Sequence, residues 1–147
     1  MPVNHHGSLV LAGDRGIFII GPSGSGKTNL ALALLGHCLA SGRFARLVAD
    51  DQILLSVSGG RLIGRAPSTI GGFAEARGFG PASLPHEPAA LLDLVVRLVP
   101  APAAPRFQQG ETVTLEGVDL PCLDLAEREA GSAVLAISAM LSLPPFG

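Results

Sequence analysis

The sequence predicts an α/β fold, a mixed sheet with flanking helices, and three observations support this prediction. An apolar strand candidate at residues 17–20 leads directly into a glycine-rich run at residues 21–28. Apolar residues then recur at helical spacing, and residues 133–141 show a second helical segment. Short apolar segments separated by glycine turns supply the remaining strands.

The individual elements follow from local patterns along the chain. The expected strands are residues 8–12, 17–20, 44–49, 53–57, 61–65, 112–115 and 118–123. The first two are expected to form a hairpin, as are the fourth and fifth, and the last two are expected at a sheet edge. Residues 91–99 fit both a helix and a strand, and Pro100 favours the strand. Residues 66–81, rich in glycine and proline, are predicted to form a long functional loop.

Length and composition exclude several classes of protein. The 147 residues suit one domain, so residues 1–147 are expected to form a single catalytic domain without a separate N-terminal one. A net charge of −2 and the absence of Trp and Tyr argue against nucleic acid as a partner. The sequence shows neither a signal peptide nor the run of about 18 apolar residues that a membrane helix needs. The two cysteines lie outside any metal or disulfide motif, which favours the cytoplasm.

Residues 21–28 match the phosphate-binding pattern G-x-x-x-x-G-K-[ST] without a mismatch. Glycines let the backbone turn its N–H groups toward a phosphate, and the following helix adds the positive end of its dipole. Lys27 is expected to reach the β- and γ-phosphates of a nucleoside triphosphate, and Thr28 to place its hydroxyl on Mg²⁺. The residues predicted to contact the nucleotide are Gly21, Pro22, Ser23, Gly24, Ser25, Gly26, Lys27, Thr28, Asn29 and Arg77.

Acidic residues follow the phosphate loop at two places. Asp50 and Asp51 end a strand candidate 23 residues after Lys27. One can accept a proton from an attacking hydroxyl while the other supports the metal or the backbone. Glu75 and Arg77 lie in a glycine-flanked segment, where they suit a metal ligand and a phosphate clamp. An ordinary surface ion pair remains the alternative for these two residues.

Together these residues resemble the HPr kinase/phosphorylase family. His6-Gly7, the phosphate loop, Val48-Ala49-Asp50-Asp51 and the Glu-x-Arg-Gly-x-Gly segment of residues 75–80 occur in the family's order and rough spacing. Residues 93–98 also resemble the strand that follows the loop in that family. The resemblance implies a P-loop kinase core similar to the nucleotide-binding core of phosphoenolpyruvate carboxykinase.

The resemblance also implies a reaction and a set of roles. The reaction is phosphoryl transfer from ATP to a serine of the phosphocarrier protein HPr or a nitrogen-related paralogue, with phosphorolysis of the product as a second activity. Asp50 would be the general base, His6 would hydrogen-bond to it, and Asp51 would support the site. Thr28 and Glu75 would be the Mg²⁺ ligands. The family is often hexameric, so a homo-oligomer is expected.

Two other functions stay open at this point. One is a P-loop kinase that phosphorylates a small molecule, and the other is a non-catalytic module that senses ATP. The open segment at residues 68–81 favours a protein acceptor, and the presence of both Asp50 and Glu75 argues against the sensor. The family's late Pro-Gly-Arg-Asn segment is replaced by residues 127–132, where Arg128 is the candidate for its arginine.

Overall fold

A computed structural model describes residues 1–67 and 72–147 of the chain. The strands are β1 (Val3–His6), β2 (Ser8–Ala12), β3 (Arg15–Ile20), β4 (Ala45–Ala49), β5 (Gln52–Ser58), β6 (Arg61–Arg65), β7 (Phe73–Ala76), β8 (Gly80–Ser83), β9 (Ala89–Leu91), β10 (Leu94–Val99), β11 (Thr112–Leu115) and β12 (Val118–Ala126). The helices are α1 (Lys27–Ala40), α2 (Ala130–Leu141) and a short 3₁₀ helix at Ala101–Ala103.

The central layer is a six-stranded mixed sheet with the order β11-β12-β10-β3-β2-β4. Strands β12, β10 and β3 run parallel, whereas β2 and β11 are antiparallel to their neighbours. Helices α1 and α2 pack against each other on one face of this sheet. Helix α1 also contacts β2, β3 and β4, and α2 contacts β12. The predicted α/β class with a mixed sheet is confirmed.

A second sheet covers the other face of the central one. It is antiparallel throughout, with the order β1-β5-β6-β9. The chain therefore has two hydrophobic cores, one between the central sheet and the helices and one between the two sheets. Side chains of β3 alternate between them, because Ile17 and Ile19 pack under the helices while Phe18 packs between the sheets. Gly64 on β6 allows the sheets to approach, since a Cβ atom there would lie 2.5 Å from Cδ2 of Leu9.

A β-bulge in β4 changes the face on which its last residues lie. Leu9 pairs with Ala49, but the next residue of β2 pairs with Leu47, so Val48 has no partner in the register. As a result Val48 and Ala49 both pack in the core between the sheets. Asp50, the next residue, therefore turns to the helix side, where Thr28 at the start of α1 bonds to it.

Most local predictions are confirmed, including both hairpins. Residues 91–99 contain the expected strand, which begins three residues later than predicted, at Leu94–Val99. The prediction that residues 118–123 form an edge strand is wrong, because β12 lies between β11 and β10. The predicted long loop is also wrong for its second half, where β7 and β8 form a hairpin. The reason is that Gly78 and Gly80, at φ of 86° and 121°, allow a tight turn. Residues 68–71 of that loop lie outside the described residues.

Within residues 1–67 and 72–147, no helix has the length and apolar character needed to cross a membrane.

Candidate functional site

A cavity of about 970 Å³ lies where α1 and α2 both begin. The phosphate loop forms its floor, and Asp51, Glu75 and Arg77 border one side. Arg128 and Glu129, just before α2, border the other side. Two helix N-termini next to the phosphate loop make this cavity suited to an anionic ligand.

The phosphate loop connects β3 to α1, as the sequence predicts. Gly24 and Gly26 have φ angles of 81° and 95°, in the left-handed region where a side chain would be strained. Gly26 is also the N-cap of α1, and its carbonyl accepts the hydrogen bond from the N–H of Leu30, 2.9 Å away. The first N–H groups of the helix therefore remain available to a phosphate.

Lys27 folds back over the loop that precedes it. Its Nζ donates hydrogen bonds to the carbonyl oxygens of Gly21 at 2.9 Å and Pro22 at 3.2 Å. Ser25 does not border the cavity, and its buried hydroxyl has no hydrogen-bond partner among the described residues. Pro22 does not border it either. The other residues predicted to contact the nucleotide all border the cavity: Gly21, Ser23, Gly24, Gly26, Lys27, Thr28, Asn29 and Arg77.

Asp50 is held by two hydroxyl groups. Oγ of Ser8 donates a 2.6 Å hydrogen bond to Oδ1, and Oγ1 of Thr28 lies 2.9 Å from both carboxylate oxygens. Asp50 and Thr28 also border a smaller cavity of about 370 Å³, together with Asp51 and Glu75. The carboxylate is thus tied directly to the phosphate loop.

The predicted hydrogen bond from His6 to Asp50 is wrong. His6 ends β1, in the second sheet, where it pairs with Gln52, and does not begin the strand of the central sheet. Within the described ranges, no hydrogen bond joins His6 to Asp50. His6 borders the larger cavity together with Asp51. In the structure His6 therefore shares a cavity with the second aspartate, and Ser8 takes the position next to the first.

Asp51 occupies a strained turn. Its φ is 70°, and the N–H of Gln52 donates a 2.8 Å hydrogen bond to the carbonyl of Asp50, which defines a γ-turn around Asp51. The N–H of Gly7 bonds to the carbonyl of Asp51 at 2.9 Å. Strain of this kind persists where surrounding contacts hold it, and it concentrates at functional sites.

Glu75 and Arg77 come from the β7–β8 hairpin. Both border the larger cavity and both are exposed. No ion pair joins them in residues 1–67 and 72–147, so the structure does not support the alternative of a surface ion pair. Their side chains remain available to a ligand in the cavity.

Arg128 lies directly against the phosphate loop. Its N–H donates a 3.0 Å hydrogen bond to the carbonyl of Ser25, and its Nη1 donates to the carbonyl of Gly24 at 3.1 Å. Its φ of 59° is unusual for arginine. Glu127 pairs with its other terminal nitrogen at 2.7 Å. The candidate arginine from the sequence is therefore at the site.

The oxygen donors near the phosphate loop suit Mg²⁺. The hydroxyl of Thr28 and the carboxylates of Asp50, Asp51 and Glu75 border one cavity, and such hard oxygen donors are the ligands that Mg²⁺ prefers. In the described part of the chain, no group of three or more His, Cys, Asp or Glu side chains could hold a metal ion by itself. This arrangement fits Mg²⁺, which usually keeps several waters and is bound through one or two protein ligands and substrate phosphates.

Comparison with known proteins gives results that agree with this geometry. Residues 2–84 match the family described as HPr Serine kinase C-terminal domain. Among curated proteins, the HPr kinase/phosphorylase of Clostridium beijerinckii is 43% identical over 77 residues, which cover 51% of this chain and 23% of that protein. The Clostridium tetani protein of the same name is 42% identical over 82 residues, 54% of this chain and 24% of that protein. The matched part thus spans about a quarter of the length of these relatives.

Similarity to a solved structure extends over almost the whole chain. That structure is described as the Hpr(Ser) kinase/phosphatase from Coxiella burnetii, and the match has a TM-score of 0.78 with 23% sequence identity. The similarity covers 95% of this chain and 88% of the other. It supports the fold described above, including the part beyond residue 84.

Proposed function

Because this chain belongs to the HPr serine kinase C-terminal domain family, we propose that it is an ATP-dependent protein serine kinase. Its acceptor in this proposal is a serine of an HPr-like phosphocarrier protein, either HPr or a nitrogen-related paralogue. The observation that carries the proposal is the position of Asp50, whose carboxylate is bonded to Thr28 of the phosphate loop. This contact supports the proposal, because it holds a carboxylate that can accept a proton next to the phosphate loop.

The proposed reaction follows from these positions. A serine hydroxyl is a weak nucleophile at neutral pH, so a positioned base is useful. As the serine oxygen forms its bond to the γ-phosphorus and the bond to ADP breaks, Asp50 accepts the hydroxyl proton. Lys27 and the N–H groups of the loop stabilise the charge on the transferring phosphoryl group.

Magnesium has a defined place in this proposal. Thr28 and Glu75 would be its protein ligands, and bound Mg²⁺ would neutralise charge on the phosphates of ATP. His6 and Asp51 border the same cavity and would support the site around Asp50. Since ATP is the phosphoryl donor, the proposal places the chain in the cytoplasm, and it includes a homo-oligomer, with a hexamer as the form common in the family.

A second activity, phosphorolysis of the phosphoserine product, is favoured by one observation. Arg128 lies over the phosphate loop and adds a guanidinium group to the cavity. Guanidinium groups bind phosphate well, so Arg128 could hold the attacking inorganic phosphate. As an oxygen of inorganic phosphate bonds to the phosphorus of the phosphoserine and the serine oxygen–phosphorus bond breaks, the protonated carboxyl group of Asp50 would give its proton to the serine oxygen, and pyrophosphate would be the second product.

The direct test incubates the chain with γ-labelled ATP, Mg²⁺ and the purified HPr-like proteins encoded in the same genome. The proposal predicts label on a serine of one of these proteins. ATP binding without label on any of them would contradict it. Label on a metabolite would then identify a small-molecule kinase, and binding without any transfer would favour an ATP sensor.

Replacement of the proposed base separates chemistry from binding. Asp50→Asn keeps the size of the side chain but removes the proton acceptor, so we expect phosphoryl transfer to fall by about 10²-fold or more. ATP affinity, measured by calorimetry, should stay within about twofold, since the phosphate contacts come from the loop. The contrasting variant is Lys27→Ala, for which ATP affinity itself should fall. Retained transfer in Asp50→Asn would show that Asp50 is not the base.

A further inference from the structure

We propose that Ser8 is a positioning residue for the reaction, acting through the carboxylate of Asp50. This inference rests on the proposed function, because it assigns Ser8 a part in proton transfer. Oγ of Ser8 lies 2.6 Å from Oδ1 of Asp50, and Ser8 is fully buried. An ionised carboxylate only accepts hydrogen bonds, so the hydroxyl must be the donor.

The strand geometry explains why these two side chains meet. Ser8 begins β2 and lies on the same side of the sheet as Val10 and Ala12, which pack under the helices. Asp50 follows β4 and would lie on the opposite side if the strand alternated regularly. The bulge at Val48 moves it to the helix side, next to Ser8. The contact therefore depends on a specific irregularity of the sheet.

Ser8 and Thr28 hold the carboxylate in different ways. Thr28 belongs to α1 and the phosphate loop, and its oxygen is also a proposed Mg²⁺ ligand. Ser8 belongs to the sheet and borders neither of the two cavities described above. Its hydrogen bond is therefore independent of contacts with nucleotide or acceptor, and it ties Asp50 to the rigid part of the fold.

The pattern of hydrogen bonds distinguishes the two oxygens of Asp50. Oδ1 accepts a hydrogen bond from Ser8 and also lies within hydrogen-bond distance of the Thr28 hydroxyl. Oδ2 contacts only the Thr28 hydroxyl. Each carboxylate oxygen has about two acceptor sites, so Oδ1 is filled and Oδ2 retains one. The arrangement assigns Oδ2 as the atom that receives the proton of the acceptor serine. Without Ser8, the carboxylate could rotate and lose this orientation.

Kinetic variants test the positioning role. For Ser8→Ala we expect kcat of transfer to fall about tenfold, the scale of one hydrogen bond to a charged group, with the Kd of ATP unchanged within about twofold. The matched control is Ser138→Ala, which removes another fully buried hydroxyl but one without a hydrogen-bond partner in the described structure. It should keep the wild-type kcat. A wild-type kcat in folded Ser8→Ala would overturn the inference.

A second pair of variants covers the case in which Ser8→Ala fails to fold. Threonine and valine have nearly the same shape and differ only in that threonine has a hydroxyl where valine has a methyl group. Any steric cost of the larger side chain is therefore the same in Ser8→Thr and Ser8→Val. We expect kcat of Ser8→Thr to exceed that of Ser8→Val by about tenfold. Equal kcat values in this pair would also overturn the inference, because a purely structural residue would change the melting temperature and not this ratio.

The contact itself can be tested without any transfer assay. The changes in melting temperature for Ser8→Ala and Asp50→Ala should not add in the double variant, since either truncation removes the same hydrogen bond. Additive changes in melting temperature would show that Ser8 and Asp50 do not interact. Absence of transfer by the wild-type chain would overturn the proposed function and the catalytic part of this inference, while non-additive melting would still support the contact.

Discussion

At the scale of single residues, Asp51 shows how the site holds strain. Its φ of 70° is costly for any residue other than glycine, and backbone hydrogen bonds on both sides of Asp51 maintain the turn. Asp51 also borders the cavity with His6 and Glu75. A residue kept in an unfavourable conformation at a cavity wall is more easily explained by function than by stability.

Replacement of this residue should separate stability from activity. We expect Asp51→Gly to raise the melting temperature by about 2 °C, because glycine adopts the turn without strain. Phosphoryl transfer should fall, because the carboxylate is lost from the cavity. The control is Ser142→Gly, at φ of 55° after α2, which should also stabilise the chain but leave transfer unchanged. A fully active Asp51→Gly variant would contradict a functional role for Asp51.

At the scale of elements, the spacing of the two sheets depends on one glycine. A Cβ atom on Gly64 would lie 2.5 Å from Cδ2 of Leu9 and 3.1 Å from Cγ1 of Ile53. Both neighbours are fully buried in the core between the sheets, so they have little room to move. Any side chain on β6 at this position pushes the two layers apart.

We therefore expect Gly64→Ala to lower the free energy of unfolding by about 1–3 kcal/mol in urea denaturation. Gly36→Ala provides the opposite control. Gly36 lies in the middle of α1, and a Cβ atom there would meet nothing within 4 Å. Alanine at that position should stabilise the chain by about 0.5–1 kcal/mol. A stability of Gly64→Ala equal to the wild type would show that the layers can separate at little cost.

At the scale of the whole molecule, stability at high pH should depend on the buried thiols. Burial raises the pKa of Cys122 from 9.0 to about 11, and it raises the pKa of Cys38 as well. The chain has no tyrosine, whose hydroxyl would otherwise lose its proton in this range. The folded state keeps protons on these thiols that the unfolded chain loses.

Protonation of the thiols is linked to folding, so the pKa difference between the folded and unfolded states sets the direction in which stability changes with pH. Below pH 9 both states hold the thiol proton, and the contribution of Cys122 to stability is complete. As the pH rises from about 9 to about 11, the unfolded chain releases the proton first, and the free energy of unfolding should fall. Urea denaturation at a series of pH values measures this loss. Cys122→Ala should show a smaller decrease over the same range, and an equal decrease would assign the effect to other groups.

Local patterns in the sequence were sufficient for much of the fold and for part of the site. The phosphate loop could be predicted because its function depends on a short spacing of glycines, Lys27 and Thr28, with a strand before it and a helix after it. The hairpins were predictable for the same reason, since glycine turns specify them over a few residues. Asp50 was singled out because it ends a strand candidate downstream of the loop, where P-loop enzymes place a carboxylate.

The partners of Asp50 were not predictable in this way. No local pattern marks Ser8, a single small polar residue at the start of an apolar strand. Its contact depends on the pairing of β2 with β4 and on a bulge, and both involve residues about 40 positions apart. The expected partner, His6, instead belongs to the second sheet. Sequence spacing alone cannot distinguish the two positions, which lie two residues apart.

The sequence by itself therefore determined the phosphate loop, its strand and helix, and the identity of the carboxylates that follow it. Only the tertiary structure decided which hydroxyl holds Asp50, that β12 lies inside the sheet, and that Arg128 reaches Gly24. The physical reason is the range of the interactions. Turns and caps are set by neighbours in the chain, whereas strand order, bulges and contacts between layers depend on pairings that form only when distant segments pack together.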